Sequence, residues 1–358
     1  MMEKDIAEID SNFKSREIDG RELDFYDGFE PPFALEGFPY RDPEGRRSRL
    51  PLEVARQCDK PNLVAMSMQG AGETVRFRTD SPVIGLRAAF SEVYRGNNRG
   101  GSNGFDLYTG MGAEAKFRGN RLIPAEEERF SALYDGNLPG AEGAMYDCAI
   151  HFPYHCAVTA FTVGVAPGAR VEPPTPHRIA RPVVFYGSSI TNCSTAGRPG
   201  MVYPSLIARR MDFELINLGF SGGCRGELCI ADAIAELEIA ALVMEFDHNA
   251  PSPEFLAARH EPFFRRYRSR RPETPVLLMS RCDFNGSGED RLRREIVQRT
   301  WLNAVDNGDR KVDFLDGETL FAGPWREECT FDCCHPNDFG AVLMAERIAD
   351  RLERLLAR

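Results

Sequence analysis

Residues 182–191 read PVVFYGSSIT. The run from Val183 to Tyr186 has the length and apolar character of a strand buried on both faces, and the glycine and paired serines after it are turn chemistry. The same rhythm continues downstream. GMVYPSLIARRM has helical period with Pro204 suited to a first turn, FELIN is a second strand, and ALVMEF is a third. FLAARHEPFFRRYRSR is helical, PVLLMS is a strand, EIVQRTWLNAV is helical and VDFLD is a last short strand. DFGAVLMAERIADRLERLL closes the chain as an amphipathic helix with Val342, Ala345, Ile348, Leu352 and Leu355 along one stripe. Strands alternating with helices predict an α/β fold, a doubly wound parallel sheet with helices on both faces.

Upstream the pattern differs. VEPPTPHRIARP, from Val171, carries four prolines in twelve residues, a stiff connection that suits neither a central strand nor a helix. It divides the chain into residues 1–174 and 175–358. In the first part, TVRFRT alternates Val75 and Phe77 with Arg76 and Arg78, DSP supplies a turn, and VIGLRAAF brings Ile84, Leu86, Ala88 and Phe90 onto one face. That predicts a hairpin with one wet face. GFDLYTG, KFRGNRLIP and CAVTAFTVGVAPG follow as strands, with Ala157, Thr159, Phe161, Val163 and Val165 sharing a parity. Strands at this spacing without helical stretches between them predict an antiparallel β-sandwich, with Phe105 and Tyr108 in its core.

A length of 358 residues is ample for two cores, and 42% apolar with 27% charged residues is ordinary globular composition. Fifty-four acidic against 44 basic side chains leave a net charge of −10, which repels nucleic acid and anionic membrane surfaces. The opening MMEKDIAEIDSNFKSREIDG is charged, and no run approaches the ~18 apolar residues of a membrane span. The expected location is cytoplasmic. Ten scattered cysteines, with Cys333 and Cys334 adjacent, are expected to be reduced thiols.

In a doubly wound sheet ligands bind beyond the carboxyl ends of the strands. The loops there are GSSIT, NLGFSGG, DHNAP and the FDCCHP segment before the last helix. A serine hydroxyl becomes a nucleophile only with a base, an orienter for that base and donors for an oxyanion. These loops offer Ser189, the pair Asp332 and His335, a backbone N–H at Gly222 and the amide of Asn249. Other readings exist for each: the serines can cap a helix, and Gly222 can be a turn residue, with Gly219 and Gly223 as competitors. Asp247 and His248 form a rival pair, and Cys329, Cys333, Cys334 and His335 resemble a run of soft metal ligands, although the second cluster of a structural zinc site is missing.

In order, GSSIT, GFSGG, EFDHN and DCCHP resemble the four blocks of the SGNH (GDSL-type) hydrolase superfamily, over residues 182–358. The resemblance implies Ser189 as nucleophile, Asp332 and His335 completing a triad, and Ser189 N–H, Gly222 N–H and the Asn249 amide as the oxyanion hole. Ser188 stands where the first block usually has aspartate, and FDHNAP departs from the common third block. GFDLYTG at 104–110 resembles the G-x-D-L-Y signature of an N-terminal sandwich domain found in one bacterial branch of these enzymes. Implied with it is a serine esterase acting through an acyl-enzyme, with no metal and no cofactor, on small-molecule esters. Acetyl esters of carbohydrates come first, and Arg198, Tyr203 and His248 are expected along the substrate pocket. The rival activities are acyl transfer through the same triad, or carbohydrate binding by an inactive hydrolase; oligomeric state is left open.

Overall fold

The computed structural model describes residues 16–92, 99–124, 127–136, 138–192 and 195–358; the charged opening stretch through residue 15 lies outside them. Besides two short two-stranded pairs, ten strands build the main sheets of the antiparallel half: β1 Asp24–Asp27, β2 Ala34–Glu36, β3 Thr74–Thr79, β4 Ile84–Glu92, β5 Gly104–Thr109, β6 Lys116–Leu122, β7 Arg129–Tyr134, β8 Tyr146–His151, β9 Ala157–Val165 and β10 Val171–Glu172. They form two sheets, β6-β5-β8-β3-β10 with β2 also on β3, and β7-β4-β9-β1. Both sheets turn apolar residues into one core, among them Val75, Phe77, Leu86, Phe105, Ile150 and Phe161. This is the sandwich the alternation predicts.

Three expectations change in detail. β3 and β4 are not a hairpin: β3 pairs with β8 and β10, whereas β4 pairs with β7 and β9 in the opposite sheet. The DSP turn therefore crosses between sheets. The outer face of β3 is only partly wet: Arg76 is 5% exposed, paired with Glu36 at 2.8 Å and bonded to His177 and the Thr175 carbonyl, whereas Arg78 is half-buried. Thr159 leaves its parity and is exposed, because the pairing of β9 with β4 shifts register between Val158 and Ala160.

In the parallel half, β11 Ile179–Gly187, β12 Phe213–Gly219, β13 Ala241–Glu245, β14 Val276–Met279 and β15 Val312–Leu315 run in the order β12-β11-β13-β14-β15. This is the flavodoxin-like 2-1-3-4-5 order. The helices are α1 Ser189–Asn192, α2 Tyr203–Met211, α3 Leu228–Glu236, α4 Pro253–Arg270, α5 Gly288–Asp306 and α6 Asp338–Leu356. Residues of α3, α4 and α5 fill the core on one face of the sheet, and those of α2 and α6 fill the other. Pro204 sits in the first turn of α2, where its missing N–H has no partner to lose. The buried stripe of α6 runs through Ala341, Met344, Ala345, Ile348, Leu352 and Leu355, with Val342 at its edge. No helix among the described residues is long and apolar enough to cross a membrane.

Several polar contacts tie the halves together, two of them centred on fully buried charged side chains. Asp106 of the G-x-D-L-Y strand is 0% exposed and accepts from Asn120 Nδ2, the Gly200 N–H and Arg198 Nη1, each at 2.8 Å. Arg198 also donates to the Tyr108 hydroxyl at 2.5 Å. Gly200 has to be glycine for this approach, since a Cβ there would stand 2.6 Å from the Tyr108 ring. The second contact is Arg49, also 0% exposed, whose Nη1 donates to the carbonyls of Asn217 (2.7 Å) and Gly219 (3.0 Å). Burial pushes its guanidinium down to about 9, yet the charge is spent on the two carbonyls at the end of β12.

Because Asp106 is buried with its charge balanced by Arg198, Arg198→Ala leaves an uncompensated carboxylate, and the expected loss of stability is about 3 kcal/mol. Denaturant unfolding of the two proteins measures it; a loss within ~0.5 kcal/mol would show that Arg198 is an ordinary surface residue.

Candidate active site

The turn after β11 is built by close approach. Gly187 pairs with Gly219 of β12 and Glu245 of β13, and a Cβ on Gly187 would collide with Thr191 and stand 2.8 Å from the Glu245 carbonyl. The chain then enters the single turn of α1 with two serines of different duties. Ser188 caps: its Oγ accepts from the Ile190 N–H at 3.0 Å and donates to the Glu245 carboxylate at 3.0 and 3.1 Å. Ser189 Oγ lies 2.8 Å from His335 Nε2.

His335 comes from a loop closed by an antiparallel bridge between Thr330 and Pro336, with the Phe331 N–H donating to the His335 carbonyl at 2.8 Å. Asp332 organises this loop from within. Its Oδ1 accepts from the backbone N–H groups of Cys334 (3.2 Å) and His335 (2.8 Å), and its Oδ2 lies 2.8 Å from His335 Nδ1. Partial burial works against the charge on Asp332, but these bonds outweigh it and hold the carboxyl below its ordinary value. An ionised Asp332 accepts the Nδ1 proton, leaving the Nε2 lone pair toward Ser189. Immediately afterwards Asn337 caps α6, its side chain accepting from the Gly340 N–H at 3.0 Å.

Beside Ser189, the loop after β12 meets the loop after β13. Gly222, at φ 68° in the left-handed region, donates its N–H to Asn249 Oδ1 at 3.0 Å, and Asn249 Nδ2 donates to the Phe220 carbonyl at 3.1 Å. These two bonds fix which end of the amide is nitrogen and leave its second Nδ2 hydrogen unspent. The Gly222 N–H is thus committed to orienting Asn249.

The residues expected along the substrate pocket do other work. Tyr203 is 0% exposed and bonded to Thr191 Oγ1 at 2.8 Å. Arg198 is held by Asp106 and Tyr108. His248 lies beneath the surface with Nδ1 3.1 Å from Glu245 Oε1 and Nε2 2.7 Å from Asp283 Oδ1. With both ring nitrogens donating to carboxylates it is an imidazolium and has no lone pair for a serine, which removes the rival pair with Asp247. Burial opposes its charge, but the bonds to Asp283 and Glu245 outweigh that and hold it well above its ordinary value. Asp283 is gripped at once by Arg281, at 2.8 and 2.7 Å, and is held well below the usual carboxylate range despite its burial.

Sequence reasoning missed this network because its members share no spacing. Its effect is plain: Glu245, from the adjacent strand, sets a carboxylate beneath the nucleophile turn, bonded to Ser188, to Thr191 Oγ1 (2.8 Å) and to His248. His248, Asp283 and Cys334 bring ligand-type atoms within 4.8 Å of one another. A cation does not suit them, because imidazolium and guanidinium charge already fills that place. Nor do the cysteines of the CTFDCCH run converge: Cys329 is buried with Sγ toward the Trp325 carbonyl, whereas Cys333 is exposed.

That sheet order, with this loop chemistry at its carboxyl edge, is the layout of the SGNH hydrolases. Residues 180–357 match the GDSL-like lipase/acylhydrolase family, and residues 23–171 match the GxDLY family, described as the N-terminus of SGNH-hydrolase-type esterases. The chain belongs to this family of ester hydrolases, in the branch that carries a GxDLY N-terminal domain. Similar solved structures include a protein described as a GDSL-like lipase from Bacteroides ovatus, 23% identical over 94% of this chain and 98% of that one, with a TM-score of 0.81. A salicylyl-acyltransferase from a tetracycline biosynthetic pathway is 21% identical, covering 94% and 99%, with a TM-score of 0.77. A family two carbohydrate esterase from Clostridium thermocellum, solved with cellohexaose, is 15% identical, covering 91% and 99%, with a TM-score of 0.62. No curated protein sequence matches the chain.

The raised value of His248 sets a pH dependence. A group whose folded value lies above its unfolded ~6.5 stabilises fully below that pH and loses its contribution as pH rises through the folded value. The stability gap between the native protein and His248→Gln is therefore expected to be largest near pH 6 and to narrow in alkaline solution. Urea midpoints across that range test this, and a gap that widens with pH would contradict it.

Proposed function

We propose that the chain is a serine esterase that removes small acyl groups, acetyl first, from carbohydrate-like esters through an acyl-enzyme. One observation carries the reading: Ser189 Oγ, the two nitrogens of His335 and Asp332 Oδ2 form a continuous run with 2.8 Å at each link. His335 Nε2 takes the hydroxyl proton as Ser189 Oγ attacks the ester carbonyl, and Asp332 steadies the imidazolium that results. The tetrahedral oxyanion is held by the Ser189 N–H and the spare Asn249 Nδ2 hydrogen. Gly222, assigned a donor's part by family resemblance, contributes by pinning Asn249, or directly once Asn249 Oδ1 releases it. His335 then gives its proton to the leaving alcohol, and water repeats the sequence in reverse to free the acid.

Support for a carbohydrate substrate comes from the likeness in fold to carbohydrate esterases, one of them solved with cellohexaose. Support for a small acyl group is the lack of any long apolar segment in the sequence that could cover a fatty chain. Acyl transfer is the second reading, favoured by the likeness to the salicylyl-acyltransferase. It needs only an acceptor hydroxyl in place of the deacylating water.

With acetylated sugars and aryl acetates as substrates, Ser189→Ala is expected to lower kcat by roughly 10³-fold or more; an alanine variant with undiminished turnover would end the proposal. Asn249→Ala is expected to cost about 10²-fold in kcat with a smaller change in KM. Product analysis in the presence of a sugar acceptor separates the two readings, since hydrolysis yields free acid and transfer yields a new ester.

A further inference from the structure

Lys60 is the charged residue that the reaction above leaves unused. It lies between two short helices of the antiparallel half, Leu52–Ala55 and Leu63–Ser67, and reaches across to the loop after β12. Its Cγ is 3.6 Å from where a side chain on Gly223 would begin, and its ammonium is 3.2 Å from where one on Gly222 would begin. On the same glycine, Arg225 Nε donates to the Gly222 carbonyl at 3.2 Å. Neither the Lys60 ammonium nor the Arg225 Nη atoms have a hydrogen bond or ion pair among the described residues. Of the neighbouring carboxylates, Asp59 pairs with Arg259 at 3.5 Å, and Glu227, which burial pushes above its ordinary value, accepts the Arg225 backbone N–H at 2.9 Å while its other oxygen is buried without a hydrogen-bond partner among the described residues.

Two cations with no carboxylate partner on their ammonium and Nη groups therefore meet at the glycine that orients Asn249, in a chain whose net charge of −10 repels anions on average. A lysine ammonium is a point charge on a flexible stem, suited to a carboxylate whose position varies, and the arginine fork adds directed donors. We propose that Lys60 and Arg225 form an anion-recognising subsite, and that the preferred esters carry a carboxylate or similar negative group close to the scissile bond. The inference rests on Ser189 and Asn249 being the reacting site. It makes the antiparallel half a contributor to specificity, through a residue that no motif marks.

Neutral and charged aryl esters of matched reactivity test it: phenyl acetate against 4-acetoxybenzoate, with the charge on the leaving group, and against phenyl hydrogen succinate, with the charge on the acyl group. One charged ester is expected to exceed the neutral one about tenfold in kcat/KM, with the preference shrinking as salt rises. Lys60→Ala and Arg225→Ala should each lower the charged-to-neutral ratio several-fold, and Lys60→Arg should retain it. A ratio near one that neither substitution moves would overturn the subsite. Calorimetric binding of 4-hydroxybenzoate and of succinate is the readout that does not require turnover. Weaker binding of either anion in Lys60→Ala supports the subsite even if no ester is hydrolysed, whereas failure of every ester with binding intact tells against the esterase reading alone. Equal binding of both anions by native and variant protein overturns the subsite.

Discussion

The structure depends on one buried carboxylate. Glu245 ends the central part of the parallel sheet 2% exposed, and a charge in that position persists only if donors and an opposite charge surround it. Ser188 and Thr191 supply the donors, which is why the nucleophile turn takes the shape it does. His248 supplies the positive charge, and Asp283 and Arg281 balance it in turn. Arg281 also reaches Asp290 at 3.1 Å, in the first turn of α5. The Cys334 thiol, next to His335, lies within 4.8 Å of the His248 ring and the Asp283 carboxylate, so the network comes close to the loop that carries the base.

Much of the fold was legible because the parallel half is regular. The buried parts of β11 to β15 are short and apolar, and helices follow most of them, so period and length identify them. The helix α3, LCIADAIAE, went unassigned: it is only nine residues long and apolar along most of its length, so it lacks the polar face that marks α6. The antiparallel half was legible as strands but not as pairings. The turn between β3 and β4 has hairpin chemistry, and nothing in it says that the chain changes sheets. Arg76 likewise read as solvent-facing because its cover comes from the other half of the chain.

For the site, the division is similar. Ser189, Asp332 and His335 could be found because local motifs hold them, and Asn249 because it follows a strand end. Arg198 and Tyr203 were legible only as neighbours of the nucleophile loop; the contacts that turn them inward, to Asp106 and to Thr191, are made across long stretches of sequence. Glu245 and Lys60 were invisible for the same reason. Their importance lies in what other segments bring to them.

Arg49 has a consequence for how such proteins can diversify. Because its guanidinium crosses from one half to the carbonyls of Asn217 and Gly219, the scaffold under the loop bearing Gly222 is jointly owned. Recombination that traded the N-terminal unit for another would have to import an arginine at the same spot or leave those carbonyls unpaired in an apolar setting. The two units are consequently expected to travel together through evolution as one inherited cassette, with novelty arising in surface loops and not by shuffling of parts.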